Sequence, residues 1–141
     1  MPAKISVKTQ PKRFYFEELD EKHGFFVEGE EPTMMAFRPA TPNDEAVRAD
    51  IIGGNKMVYE QRGDDDMTAR IEVNLGEIPM ATIYAVFEES NIVDENGRPA
   101  LRKGMAYASF KRVVGALPKD YLDAFYQAAL EVNPQWKTEN F

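Results

Sequence analysis

There is no cysteine among the 141 residues, so neither a disulfide framework nor thiolate chemistry is open to the chain. A reducing cytosol fits that composition. The single histidine, His23, precedes Gly24, and with no second histidine or cysteine to share a metal it reads as a turn residue. No segment approaches the roughly 20 apolar residues of a membrane span, and Met1 to Phe16 lacks the apolar run of a secretory signal. Positive charge is scarce: 17 Lys and Arg against 24 Asp and Glu leave a net charge of −7. That balance argues against non-specific nucleic-acid binding, which needs a basic surface to displace counterions, and favours protein partners or solubility. No acidic pair, lone serine or glycine loop has the context that catalysis needs, so neither an enzyme nor a cofactor is expected.

What is present suffices for one core. Hydrophobic residues make up 43% and aromatic residues 11% of a chain whose length suits a single domain. The clearest element is Leu117 to Trp136. Pro118 suits a first helical position, Asp120 faces the helix dipole in the first turn, and Asn133-Pro134 ends the run. At 100° per residue, Tyr121, Ala124, Phe125, Ala128, Ala129 and Val132 share an arc opposite Lys119, Asp120, Asp123, Gln127 and Glu131.

Residues 1–32 lack periodicity and are rich in charge, which reads as a partly extended N-terminal arm ahead of a single globular domain at 33–141. Phe14-Tyr15-Phe16 and Phe25-Phe26 interrupt the charge, so short pieces of the arm are expected to dock on the domain or, as the second choice, on a partner. Thr33 to Arg38 is a strand candidate. Thr41, as N-cap, and Pro42 open a short helix that carries Val47, Ile51 and Ile52 inward and stops at Gly53-Gly54. Lys56 to Arg62 and Thr68 to Leu75 predict a β-hairpin around Gly63 to Asp66, with Ile71, Val73 and Leu75 alternating against polar neighbours. Pro79 opens a helix with Met80, Ile83, Tyr84 and Phe87 on one face and Glu88-Glu89-Ser90 at its exposed end. A turn over Ile92 to Pro99 and a helix from Lys103 to Gly115 follow, the latter expected to pair antiparallel with the last helix. The fold class is α+β: short strands and a hairpin in the N-terminal half, packed with a helical C-terminal half, about four helices in all.

Several motifs have plain readings. Asp64-Asp65-Asp66 lacks the alternate spacing of a calcium loop and reads as a solvated hairpin tip. Arg62-Gly63-Asp64 is a chance tripeptide. Arg102, Lys103, Lys111 and Arg112 form a local basic cluster, by default a solvated helix face. Tyr126 and Leu130 fall outside the main apolar arc of the last helix, and Trp136 lies beyond its end. Either the helix is sandwiched between its own neighbours, with Trp136 folding back to cap the core, or these three are the candidate partner-binding residues, since aromatic anchors are enriched in interface hot spots.

The order of elements also carries a resemblance. Met35-Ala36-Phe37-Arg38-Pro39 leads into Thr41-Pro42-Asn43-Asp44 and a helix. Ile83 to Phe87, Val93-Asp94-Glu95-Asn96-Gly97-Arg98-Pro99 and Leu117-Pro118 through Asn133-Pro134-Gln135-Trp136 complete the layout. Over roughly residues 34–136 the chain resembles the tail assembly chaperones of long-tailed bacteriophages. The resemblance implies a non-enzymatic protein of the infected host cytoplasm that binds the tape measure protein, keeps it soluble and helps recruit tail tube protein subunits. It also implies absence from the finished virion, and an end soon after Trp136 suits the shorter of two frameshift products. Self-association is compatible with that role, and no site residues are transferred. The alternative from another class is a structural virion protein, such as a head–tail connector or tail terminator subunit.

Overall fold

A computed structural model describes residues 10–53, 57–62, 66–71 and 75–138. The chain runs β1 (Lys12–Tyr15), α1 (Glu17–His23), β2 (Met34–Phe37), α2 (Pro42–Gly53), β3 (Met57–Arg62), β4 (Asp66–Ile71), a 3-10 turn (Leu75–Glu77), α3 (Ile78–Ala85), β5 (Phe87–Ser90), α4 (Tyr107–Gly115), α5 (Lys119–Val132) and a second 3-10 segment (Pro134–Thr138). It is an α+β fold.

β2 is the middle strand of an antiparallel sheet ordered β1-β2-β5. All four of its side chains are buried, as an unbroken apolar run requires when a strand is covered on both faces. β1 pairs with it from Lys12 opposite Phe37 to Tyr15 opposite Met34, so the charged arm contributes an edge strand to the sheet. Phe16 then packs edge-on against Phe125 of α5 at 4.9 Å between centroids, and α1 follows. With this helix the described residues contain five α-helices, where about four were expected. Gly24 ends α1 in the left-handed region at φ 75°, where a side chain would be strained.

The helix expected from Pro79 is shorter than its periodicity suggests. α3 stops at Ala85, and Phe87 to Ser90, expected as its end, form β5 opposite Met35 to Phe37. Pairing with β2 gives that backbone its hydrogen bonds, keeps Phe87 buried at 3% exposure and leaves Glu89 outward, 3.0 Å from Arg13 of β1. α3 is buried around most of its circumference (Ile78, Met80, Ala81, Thr82, Ile83 and Ala85) because α2, α4 and α5 all pack against it.

α2 departs from expectation in which face it buries. Val47 is 40% exposed and Ile51 and Ile52 are half-buried, while Asp44 and Arg48 are the buried residues. Thr41 caps the helix reciprocally: the Asp44 N–H donates to the Thr41 hydroxyl at 3.2 Å, and the Thr41 N–H donates to the Asp44 carboxylate at 3.1 Å. The β3–β4 hairpin is present, with Met57 opposite Ile71 and Arg62 opposite Asp66, so Asp66 belongs to a strand rather than to the tip. Leu75, expected to end the second strand, begins the 3-10 turn instead. The expectations for Gly54, Lys56, Gly63-Asp64-Asp65, Val73, residues 1–9 and the last residues, 139–141, lie outside the described residues.

α4 begins at Tyr107 rather than Lys103, because Gly104 takes φ 83° and the Tyr84 hydroxyl donates to the Met105 carbonyl at 2.6 Å, holding that stretch as a turn. α5 buries Tyr121, Phe125, Ala128, Ala129 and Leu130. Its larger helical neighbour is α3, with α4 and β2 also in contact.

Candidate functional site

Some of the phrases that carry the family resemblance meet in space: Met35 to Pro39, Thr41 to Asp44, Ile83 to Phe87 and Asn133 to Trp136. Arg38, at the end of β2, donates to both oxygens of Asp44 at 2.8 and 3.1 Å, to Glu88 at 3.1 Å and to the Ala85 carbonyl at 3.0 Å. Burial alone would lower the Arg38 pKa, but the hydrogen bonds and charges of Asp44 and Glu88 outweigh it and raise it. Burial likewise works to raise the Asp44 pKa, and Arg38 together with Thr41 brings it below the ordinary carboxylate value. Asn133 completes the join: its Oδ1 accepts from the Ala40 N–H at 2.8 Å and its Nδ2 donates to the Arg38 carbonyl at 3.1 Å. The Phe-Arg-Pro and Asn-Pro-Gln-Trp phrases therefore fasten the end of β2 to the end of α5. Their chemistry is structural.

The surface offers one cleft of a different character. It is lined by Asp20, Phe25, Glu31, Thr33, Asn91, Ile92, Val93, Leu117 and Tyr121 and encloses about 370 Å³, within the range of clefts that accept a small molecule or inserted side chains. Its floor is fixed by Asp20, only 3% exposed, which accepts from the Tyr121 hydroxyl at 2.6 Å, the Thr33 N–H at 2.7 Å and the Thr33 hydroxyl at 2.8 Å. Burial, then the hydrogen bond and charge of Asp20, push the Tyr121 pKa well up, so its hydroxyl stays a donor. On the rim, Phe25 and Val93 are 54% and 56% exposed, and Phe26 and Val27, next to Phe25 in the chain, are 38% and 52% exposed. These are most of the large exposed apolar side chains among the described residues. Phe25 docks on the domain as expected, its ring centroid 6.1 Å from that of Tyr121 and 6.2 Å from that of His23, while still 54% exposed; nothing in the local pattern brings Val93 to the same cleft.

The candidate residues of the last helix lie elsewhere. Leu130 and Trp136 are 6% and 5% exposed and belong to the hydrophobic core, and Tyr126 is half-buried against it. Trp136 is inside because the 3-10 segment after Asn133 folds its ring back under Arg48, and Leu130 because α5 is covered on more than one side. The three do not form an exposed partner surface. His23, expected as a turn residue, is the last residue of α1 ahead of its cap Gly24, with Nε2 2.8 Å from Asp120. Hydrogen bonds from Lys22 and His23 bring Asp120 down to a pKa of about 2. In the basic cluster Lys103 pairs with Glu88 at 3.0 Å and Lys111 with Glu77, so two of its cations are already matched. Among the described residues no group of His, Asp and Glu is placed to hold a metal ion, and no helix is long and apolar enough to cross a membrane.

Comparison with protein-family models, with curated proteins and with solved structures finds no match to this chain. The family resemblance therefore rests on the phrases quoted above.

Proposed function

We propose that the protein is a non-enzymatic tail assembly chaperone of a long-tailed bacteriophage, acting in the cytoplasm of the infected host. It binds the tape measure protein, keeps its apolar helices in solution and helps recruit tail tube subunits. The observation that carries this reading is the solvent-exposed apolar lip of Phe25, Phe26, Val27 and Val93. Exposed apolar side chains beside a concave cleft are where a partner's apolar surface can be received. A net charge of −7 supports the role, since a holder of aggregation-prone helices needs a soluble body of its own.

The test is co-expression with the tape measure protein of the same phage, followed by a tagged pull-down and an assay of that partner's solubility. Co-purification with the tape measure protein kept in the soluble fraction is the expected result. A tape measure protein that stays insoluble, together with mass-spectrometric detection of this chain in purified particles, would replace the chaperone by a structural virion component.

A further inference from the structure

Around the cleft, the two lips carry the same sign of charge. On one side the chain after α1 places Glu28, Glu30 and Glu31 in solvent, and on the other the turn after β5 places Asp94 and Glu95 there, against Arg98 as the cation of that turn. Among the described residues none of Glu28, Glu30, Glu31 and Glu95 has an ion-pair partner, whereas Lys22 on α1 is taken up by Asp120 at 2.8 Å. The cleft thus joins apolar side chains, Phe25, Ile92, Val93 and Leu117 among them, to unmatched negative charge.

The backbone around it is already committed. The Phe16 N–H donates to Thr33, the Asn91 N–H to Met34, the Asp94 N–H to Arg98 and the Ala100 N–H to Ile92. The Asn91 side chain bridges the Met34 N–H and the Pro32 carbonyl, both at 2.8 Å. An extended peptide adding itself as a strand needs free backbone groups along an edge, and at Phe16, Asn91, Asp94 and Ala100 the N–H groups are already bonded within the chain. A helix satisfies its own backbone and presents only side chains, so a groove of apolar side chains receives it.

We propose that this cleft docks an amphipathic helix of a partner protein, with an apolar side chain inserted between Phe25 and Val93 and Lys or Arg residues on its flanks meeting Glu28, Glu30, Glu31 and Glu95. The assignment of the occupant to the tape measure protein rests on the chaperone reading above; the chemistry of the occupant does not. Electrostatic attraction of this kind hastens encounter and weakens with salt, while the apolar insertion sets how long the complex lasts.

The experiment uses the full chain and two synthetic helical peptides of about five turns, one with a Leu and Phe face flanked by Lys, the other with Glu in place of each Lys, followed by fluorescence anisotropy. The Lys peptide should bind, its affinity should fall as salt is raised, and the Glu peptide should not be held. The double variant Phe25→Ser/Val93→Ser should weaken binding by at least about tenfold, and so should the triple variant Glu28→Gln/Glu30→Gln/Glu31→Gln at low salt. Val93→Asp alone is the second apolar variant, since Val93 is 56% exposed and meets Pro99 through the backbone; a thermal melt confirms that each variant is folded. The inference is overturned if the Lys peptide is not bound, if both peptides bind alike, or if the folded Phe25 and Val93 variants bind as well as the native chain. The same variants in the tape measure solubility assay separate the two readings. Solubilisation unaffected by Phe25→Ser/Val93→Ser, in a variant that no longer holds the Lys peptide, removes the tape measure protein from the cleft and leaves a chaperone that works through another surface. Peptide docking at the cleft with no effect on the tape measure protein sinks the chaperone and leaves the cleft.

Discussion

The guanidinium carbon of Arg48 lies 4.5 Å from the centroid of the Trp136 ring, and Arg48 Nε donates to the Thr82 hydroxyl at 2.7 Å. Through that one side chain α2, α3 and the segment after α5 are joined. Trp136 is therefore a core residue held by packing and by a cation–π contact. Trp136→Ala is expected to cost about 3–5 kcal/mol, the usual range for emptying a large aromatic site. Trp136→Phe keeps a ring beneath Arg48 and should cost distinctly less. Urea unfolding of the two variants checks the order, and equal midpoints for Trp136→Ala and the native chain would contradict the packing described.

The last helix distinguishes its two misplaced residues. Leu130 is buried and Tyr126 only half so. Leu130→Lys would bury an unpaired ammonium, so it should abolish the cooperative thermal transition; Leu130→Ala should cost about 2–5 kcal/mol. Tyr126→Ser should leave a folded protein with a lower melting point. Circular dichroism melts decide between this order and one in which both positions tolerate polar residues.

The Arg38–Asp44 pair gives stability a pH dependence of known sign. The Asp44 pKa is lowered in the folded chain, so its contribution is fully present above the unfolded carboxylate value of roughly 4 and is lost as pH falls through the folded value. Urea midpoints should therefore decline on acidification below about pH 4. Asp44→Asn should flatten part of that decline. At neutral pH, Asp44→Ala should cost about 1–3 kcal/mol, because Arg38 keeps Glu88 and the pair is partly solvated. An identical pH profile for Asp44→Asn and the native chain would remove Asp44 from the account.

The parts of the fold that were legible in the sequence are those with local signals. α5 has a long apolar period, β2 an unbroken apolar run, and the hairpin two strand-like runs around polar turn residues. What was not legible depends on distant partners. Glu88-Glu89-Ser90 looks like the frayed end of a helix until β2 supplies a strand to pair with. Asp20 looks like one more charge in an acidic arm, yet Tyr121, far along the chain, makes its burial possible. The cleft was illegible for the same reason, since Phe25 and Val93 come to line one cleft only after α1 and the turn following β5 are both in place.

Asp20 also allows the docking of the N-terminal segment to be tested by an asymmetry. Tyr121→Phe removes one donor but leaves the carboxylate its two bonds from Thr33, so the expected cost is about 1 kcal/mol. Asp20→Ala strands three donors at once, the Tyr121 hydroxyl in a buried site among them. Each buried donor left unsatisfied costs about 1–3 kcal/mol, so Asp20→Ala should be several times more damaging than Tyr121→Phe. Its effect should also be local before it is global, since Thr33 is where the chain after α1 rejoins the sheet. Limited proteolysis should cut Asp20→Ala between Gly24 and Pro32 under conditions in which Tyr121→Phe remains intact. Equal resistance of the two variants, with equal urea midpoints, would mean that the carboxylate does not anchor that lip of the cleft.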